Sequence, residues 1–291
     1  MIRILDETCS ACGLCGEVCP NRIMKKEDSR RMSINPKRMP LCIQCGQCMA
    51  VCPSKSIVAG ELSYERDFLE MAEIPFLGNP FLEMIATRRA VRNFSDRPVP
   101  RGVLEKIVQA IAFAPPGFPP LKTEIVVVQD TTAIRKALPH MVEVYDGLLK
   151  AMSNRVLRIF IRWRAGKQTF NTVDRHLLPL LRVGLPELKA GGEDTLTRNA
   201  PAMILFHASK DEDHRGDIFI AVTYGFLAAH ALGLGGSAMG IIPPAVERNR
   251  ELRKLFSIPD GNEVLSSMIL GYPKYRYQLA IKRELKSVTW I

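Results

Sequence analysis

Beyond Cys52 this 291-residue chain contains no cysteine. That leaves most of the molecule without a disulfide and without a cysteine nucleophile. Histidine is scarce too: the five residues at 140, 176, 207, 214 and 230 are scattered, and no clear triad assembles from them. His207 and His230 read as hydrogen-bonding residues in or near the core. The one long stretch lacking Asp, Glu, Lys and Arg, residues 218–246, carries Thr223, Tyr224, His230, five glycines and Pro243-Pro244. It reads as a buried helix from Ile218 to Leu232, then a Gly-rich turn and a buried strand, not as a membrane span. Residues Met1 to Thr8 carry charge and no long apolar core, so no secretory leader is read there and a cytoplasmic location is expected. No helix-turn-helix, zinc-finger or RNA-recognition pattern accompanies the net charge of +10, so nucleic acid is not an expected partner.

All eight cysteines lie at the front, in two copies of one pattern. Cys9-x-x-Cys12-x-x-Cys15-x-x-x-Cys19-Pro20 recurs as Cys42-x-x-Cys45-x-x-Cys48-x-x-x-Cys52-Pro53. By the pattern's resemblance to the run of bacterial two-[4Fe–4S] ferredoxins, three thiolates two residues apart wrap one turn of chain around one corner of an iron–sulfur cube. The fourth, held off by the turn before proline, points away towards a neighbouring cube. Zinc ribbons use two separated C-x-x-C pairs and need neither the third cysteine nor the trailing Cys-Pro. The run resembles that of bacterial two-[4Fe–4S] ferredoxins. The resemblance implies that Cys9, Cys12, Cys15 and Cys52 hold one cluster, and Cys42, Cys45, Cys48 and Cys19 the other. A segment of about sixty residues with so little apolar content is expected to unfold without its metal.

Residues 1–60 carry nine Lys/Arg against five Asp/Glu, an excess that negatively charged clusters would offset. Most of the positive charge then belongs to residues 61–291, a surface suited to an acidic redox carrier, an anionic cofactor or a membrane surface.

The expected organisation is a ferredoxin domain over 1–60, a linker over 61–79, and a second domain over 80–291 with a lid or insertion at about 150–198. Glu61 to Ala72 is read as one helix. A short helix ends near Arg88, and Pro100 begins another with Val103, Leu104, Ile107, Val108 and Ile111 on one face. Residues 115–120 form a stiff Pro-rich loop. Glu124–Gln129, Ala202–Ala208 and Val264–Leu270 read as buried strands. Thr131 or Thr132 caps a helix through Leu149, and a further helix spans about Ala245 to Phe256. Residues 153–198 read as irregular helix, with nine Lys/Arg against four Asp/Glu.

Arg88 and Arg92, four apart, share a face if their turn is helical, which makes an anion clamp or a solvated basic helix end. The segment Thr87-Arg-Arg-Ala-Val-Arg-Asn-Phe94 resembles the Arg-Arg-Ser-Val-Arg opening of the FMN-dependent nitroreductase family, with Ala90 replacing the serine. Ala112–Gly117 before a strand, Asn199-Ala-Pro201, Leu227–Gly235, and Gly271-Tyr-Pro273 with Lys282-Arg283 follow in that family's order. The resemblance implies an α+β chain: a ferredoxin-like domain, then a nitroreductase-like α/β/α flavoprotein domain with a mixed central sheet.

By that resemblance Arg88, Arg89, Ala90 and Arg92 contact the ribityl phosphate and pyrimidine edge of FMN. Pro115, Pro116 and Gly117 line the isoalloxazine, Gly240 and Ile241 lie near N5, and Arg283 pairs with the phosphate. The Pro119-Pro120 pair departs from the family pattern. Gly233-x-Gly235-x-x-Ala238 fits a relaxed dinucleotide fingerprint, but a helix precedes it where that motif needs a strand, so it reads as a helix cap and a close backbone approach.

The expected function is electron transfer from a low-potential carrier through two [4Fe–4S] clusters to FMN, and on to a small planar acceptor: a nitroaromatic, quinone or activated alkene. The donor is an acidic ferredoxin or flavodoxin; the chemistry is the flavin's, so no catalytic side chain is assigned. The resemblance implies a homodimer. Phe160, Trp163 and Phe170 are candidates to stack on an aromatic substrate or to pack at an interface, and the 156–164 stretch also suits anionic lipid. The alternatives are a non-enzymatic relay, or an ene-reductase or reductive dehalogenase on the same fold.

Overall fold

The computed structural model describes residues 2–27, 32–70, 78–117 and 120–291. Part of the expected linker (71–77), the end of the expected 61–72 helix, and Phe118 and Pro119 of the Pro-rich loop lie outside the described residues. Contacts divide the chain into two units, Met1–Arg88 with Lys274–Ile291, and Arg89–Pro273. This differs from the expected boundary: the 80–88 helix and the C-terminal segment fold with the cysteine-bearing residues.

In the first unit the two cysteine runs give matching local structure. Helices Leu14–Val18 and Gln47–Val51 each begin after a left-handed glycine, Gly13 and Gly46. Strand Ile2–Ile4 pairs antiparallel with Ile57–Ala59, and Met24–Lys26 with Met32–Ile34. The expected 61–72 helix is a single turn, Tyr64–Asp67, capped by the Ser63 hydroxyl, which accepts from Arg66 N at 3.2 Å. It gives way to strand Phe68–Glu70 because a partner is supplied from far along the chain: Leu279–Ile281 pairs with it antiparallel. Phe68 and Leu279 enter the same core as Ile2, Ile23, Met24, Met49 and Ile57, which also contains Cys15, Cys19, Cys48 and Cys52. The unit is thus larger and more apolar than the first sixty residues suggest.

The second unit is built on a four-stranded sheet in the order Glu124–Val128, Ala202–Ser209, Asn262–Gly271, Gly235–Ala238, each antiparallel to its neighbours. Its parallel component is one bridge, Ala90 to Gly236, on the edge strand. Side-chain alternation sends Met203, Leu205 and Ile269 into one core, and Ala202, Ile204, Phe206, Met268 and Leu270 into another. Helices cover both faces, so the central strand is buried almost throughout and reads as a continuous apolar run. Helix Arg101–Ala112 buries Leu104, Ile107 and Ile111, the expected stripe.

Several boundaries move for identifiable reasons. Asp130, not a threonine, caps helix Thr131–Ser153, its carboxylate accepting from Thr132 N at 2.7 Å. The expected 245–256 helix is two, Ile242–Arg248 and Arg250–Leu255, divided at Asn249, whose extended backbone ends the first and whose side chain caps the second through Leu252 N at 3.0 Å. Residues 155–189 are helical and irregular as expected: Arg155–Thr172 kinks at Gly166 (φ 76°), then a π turn Val173–Leu177 leads into Leu178–Lys189. Helix Arg215–Ala231 is not wholly buried: Phe219, Ile220 and Tyr224 face out. Among the described residues no helix is long and apolar enough to cross a membrane.

Candidate functional site

No disulfide joins any of the eight cysteines. Ala11 and Gln44 (φ 49° and 50°) sit inside the first C-x-x-C of each run in left-handed backbone, and Arg22 and Lys55 (φ 48° and 52°) follow each Cys-Pro. Non-glycine residues seldom adopt that geometry, and its repetition shows one loop built twice. The turns aim backbone N–H groups at sulfur. Ala11 N donates to Cys9 Sγ at 3.4 Å, Ile23 N to Cys19 Sγ at 3.4 Å, and Ser56 N to Cys52 Sγ at 3.3 Å.

Burial, followed by the charges of Cys52, Cys12 and Cys9, pushes the Cys15 thiol up to about 12. Burial, then Cys45, Cys19 and Cys15, raises Cys48 as well. Cys15 is therefore crowded by two cysteines of its own run and by the fourth of the other, and Cys48 by one of its own run and by Cys19 and Cys15 of the other. Thiolates so placed need compensating positive charge, which a cluster's iron supplies. Among the described residues no three His, Cys, Asp or Glu side chains converge as a single ion requires. A cube asks for a wider set, because each thiolate takes a different corner. The thiols fit such a group.

Cys52 has further company that the cysteine pattern did not announce. Ser54 Oγ lies 3.7 Å from its sulfur, within a hydroxyl chain running to Ser56 Oγ (2.8 Å) and Thr8 Oγ1 (2.8 Å). Tyr64 packs on the same core with its hydroxyl buried, and burial followed by the Cys52 charge holds its phenol well above the usual range. The one sequence signal was a break in the internal repeat: Ser54 and Ser56 stand where the first copy has Asn21 and Ile23.

The candidate flavin residues fall in both units. In the first, Arg88 caps helix Pro80–Thr87 in extended backbone (ψ 136°), with its N–H donating to Met84 O at 3.0 Å. The helix therefore ends before Arg92, and the expected helical Arg88/Arg92 face does not form. Burial and then the charge of Arg283 depress the Arg88 guanidinium, so these two expected phosphate ligands are near one another. Two cations so placed suit a dianion.

In the second unit Arg89 is buried, and Ala90-Val91 runs along the edge strand, Val91 N donating to Gly236 O at 2.9 Å. Glycine is needed opposite, since a Cβ on Gly235 would stand 2.6 Å from Val91 Cβ. Gly233 (φ 76°) closes the preceding helix, so the Gly-rich stretch is a cap and a close approach followed by a strand, not a dinucleotide turn. The edge strand leads directly to Gly240 and Ile241, and the Ile241 carbonyl accepts from Tyr145 Oη. Gly117 is tied elsewhere, its N–H donating to Asp217 Oδ1 at 2.9 Å, with Pro115 exposed and Pro116 half-buried beside it. Phe170 leaves the set of substrate-stacking candidates: it is buried with Met152 and Leu178 beneath Arg158 and Arg162. Phe160 and Trp163 remain exposed, their rings 6.0 Å apart.

A doubly repeated thiol loop followed by a helix-covered sheet defines an oxidoreductase joined to an iron–sulfur domain. The profile of the nitroreductase family matches residues 85–272, more than half of the chain, and the chain belongs to that family. The profile of the 4Fe-4S dicluster domain matches residues 8–57. A protein of Archaeoglobus fulgidus provisionally named NADH dehydrogenase/NAD(P)H nitroreductase is 29% identical over 194 residues, covering 66% of this chain and 85% of that one. A protein of the same provisional name from Methanothermobacter thermautotrophicus is 27% identical over 197 residues, covering 66% and 76%. The solved nitroreductase with bound FMN from Bacteroides fragilis superposes with a TM-score of 0.55 at 19% identity, covering 73% of this chain and 98% of that one. A second, from Desulfitobacterium hafniense, also with FMN, gives 0.52 at 19% identity, covering 74% and 100%. These two show the same fold.

Proposed function

We propose that this protein is an FMN- and iron–sulfur-dependent reductase that takes electrons from a low-potential carrier and delivers them to a small planar acceptor, a nitroaromatic, quinone or activated alkene. When bound, the clusters supply single-electron transfer and the flavin supplies hydride or single-electron chemistry. Cys9, Cys12, Cys15 and Cys52 hold one [4Fe–4S] cluster, and Cys42, Cys45, Cys48 and Cys19 hold the other. Arg88 and Arg283 bind the FMN phosphate; Arg89, Ala90, Arg92, Pro115, Pro116, Gly117, Gly240 and Ile241 orient the ring system and keep water from it. The observation that carries this reading is the crossed crowding of the thiols, Cys52 acting on Cys15 and Cys19 on Cys48. That crossing suits two cubes side by side, each taking its fourth ligand from the other run.

Two further parts of the reading rest on surface composition. Helix Arg215–Ala231 is apolar on every side, and a second copy of the chain covering Phe219, Ile220 and Tyr224 accounts for its exposed face. The basic Arg155–Arg164 stretch suits an acidic ferredoxin or flavodoxin as donor. A second donor, NAD(P)H, is favoured by the names of the two archaeal relatives. The experiment is anaerobic purification with assay of iron, sulfide and flavin, then turnover of a nitroaromatic and a quinone with either a reduced low-potential carrier or NADH. Turnover with the carrier alone supports the proposal. Turnover with NADH alone replaces its donor, and a colourless protein containing zinc overturns it.

A further inference from the structure

The two cysteine runs repeat in sequence and in backbone, yet the surroundings of their fourth cysteines differ. At Cys52 a backbone N–H from Ser56 (3.3 Å) is joined by the Ser54 hydroxyl at 3.7 Å, itself braced by Ser56 Oγ. The Tyr64 hydroxyl is buried and belongs to a ring packed on the core that holds Cys48 and Cys52. Phe68 fixes that ring, with centroids 5.5 Å apart, and Gly46 lies beneath them: a Cβ there would meet Phe68 Cζ at 3.2 Å. At Cys19 the matching backbone donor is Ile23 N at 3.4 Å, but the matching side chains give no hydroxyl. Asn21 turns its amide away, donating to Leu41 O at 2.6 Å, and Ile23 is a buried aliphatic. Exposure differs in the same sense: Cys12 is exposed, whereas its counterpart Cys45 is half-buried.

Adding an electron to a cube increases the negative charge spread over its ligand sulfurs. A donor aimed at such a sulfur, or water reaching it, stabilises the reduced state more than the oxidised one and raises the potential. Resting on the two-cluster reading above, we propose that the cluster of Cys9, Cys12, Cys15 and Cys52 has the higher reduction potential of the two, and that Tyr64 and Ser54 set the difference by donating hydrogen bonds to the Cys52 sulfur. Because that sulfur is ligated and anionic, the serine and the phenol must be the donors. No proton is transferred and no ligand bond changes on reduction. Tyr64 and Ser54 are positioning residues that act through Cys52, and together they turn a symmetric pair of clusters into an ordered one.

The test is an anaerobic redox titration of the full chain followed by electron paramagnetic resonance, on wild type, Tyr64→Phe, Ser54→Ala and the double variant. Tyr64→Phe keeps the ring on Phe68 and removes only the buried hydroxyl, so folding is retained. The wild type shows two separate one-electron waves. Each single variant lowers the upper wave and leaves the lower one in place; one lost hydrogen bond changes the partition of the electron by about tenfold, or roughly 59 mV for a one-electron couple. Coincident wild-type waves, an unmoved upper wave in the double variant, or movement of the lower wave overturns the proposal. Iron and sulfide are assayed on the same samples. About four of each per chain would overturn the two-cluster reading itself, whereas a full complement with unmoved potentials overturns only the roles of Tyr64 and Ser54.

Discussion

The charge of Arg283 reaches Arg88 across almost two hundred residues of sequence and, with burial, depresses its guanidinium. Like charges repel, and partial burial weakens the solvent screening that would make their proximity harmless. An anion between them reverses the sign of the interaction. Arg88→Ala should therefore weaken FMN retention by about ten- to hundredfold, the loss of one charge-assisted contact of roughly 1.5–3 kcal/mol. Cluster absorbance should stay intact. Flavin fluorescence released on dilution measures the first and visible absorbance the second; equal loss of both would show that the substitution had unfolded the unit.

Gly235→Ala should disturb the neighbouring chain without touching a thiol. The added Cβ stands 2.6 Å from Val91 Cβ and Cγ2, so Val91 must move and its hydrogen bond to Gly236 O must lengthen. Overpacking of this kind costs roughly 1–3 kcal/mol. The expected result is a lower melting temperature with iron content unchanged, read by calorimetry and an iron assay. An unchanged melting temperature would mean that the edge strand yields freely.

Leu279→Ala tests the returning strand. Leu279 is 3% exposed and packs in the core that holds four of the thiols. Truncating a buried leucine costs roughly 2–5 kcal/mol. In mild denaturant the variant should bleach several-fold faster than wild type, followed as loss of visible absorbance. Bleaching at the wild-type rate would show that the segment is dispensable for holding the clusters.

His207 gives the second unit a pH dependence. Its Nδ1 lies 2.8 Å from Asn262 Nδ2, which fixes Nδ1 as the acceptor of a neutral ring. Burial, the largest influence, lowers its pKa despite the opposing pull of Glu124. The unfolded chain therefore takes up this proton first as pH falls. Stability from this residue is complete above about pH 6.5 and declines as pH drops towards the folded value. Urea midpoints should fall between pH 7.5 and 5.5 with a smaller slope in His207→Gln. An identical slope in the variant would assign the decline to other groups.

Phe219→Glu places a charge on the outward face of the apolar helix, where Phe219 is 60% exposed. A chain that associates through this face should become monomeric in sedimentation while keeping its fold by circular dichroism. If the variant sediments as wild type does, the face is not a contact between copies.

The iron–sulfur domain was legible because cluster ligation dictates a cysteine spacing that survives as a covalent pattern. The strands at 202–209 and 262–271 were legible because sheets covered on both faces leave long apolar runs, whereas 124–128, expected to be buried from its β-branched run, is an edge strand in which only Val128 is buried and Val127 is exposed. Tyr64 and Ser54 were not: a hydroxyl beside a ligand sulfur has no required spacing. Arg88 and Arg92 invited a helical reading, but Thr87 Oγ1 donates back to Glu83 O at 2.8 Å and Arg88 turns extended, which ends the helix between them. The Leu279–Ile281 strand was hidden by its three-residue length, too short for any period to show, and by the distance to its partner at 68–70. Phe170 carries the same aromatic signal as Phe160 and Trp163; only tertiary packing separates the buried ring from the exposed pair.

Because the strand that pairs with Phe68–Glu70 lies at 279–281, a ribosome emits both cysteine runs long before that pairing can form. The nascent thiols must wait, reduced and partly uncovered, while more than two hundred residues follow. For the same reason, a fragment cut after residue 60 would carry every cysteine but lack Phe68 and Leu279. Grafting that fragment onto another enzyme would transplant the wires without their insulation.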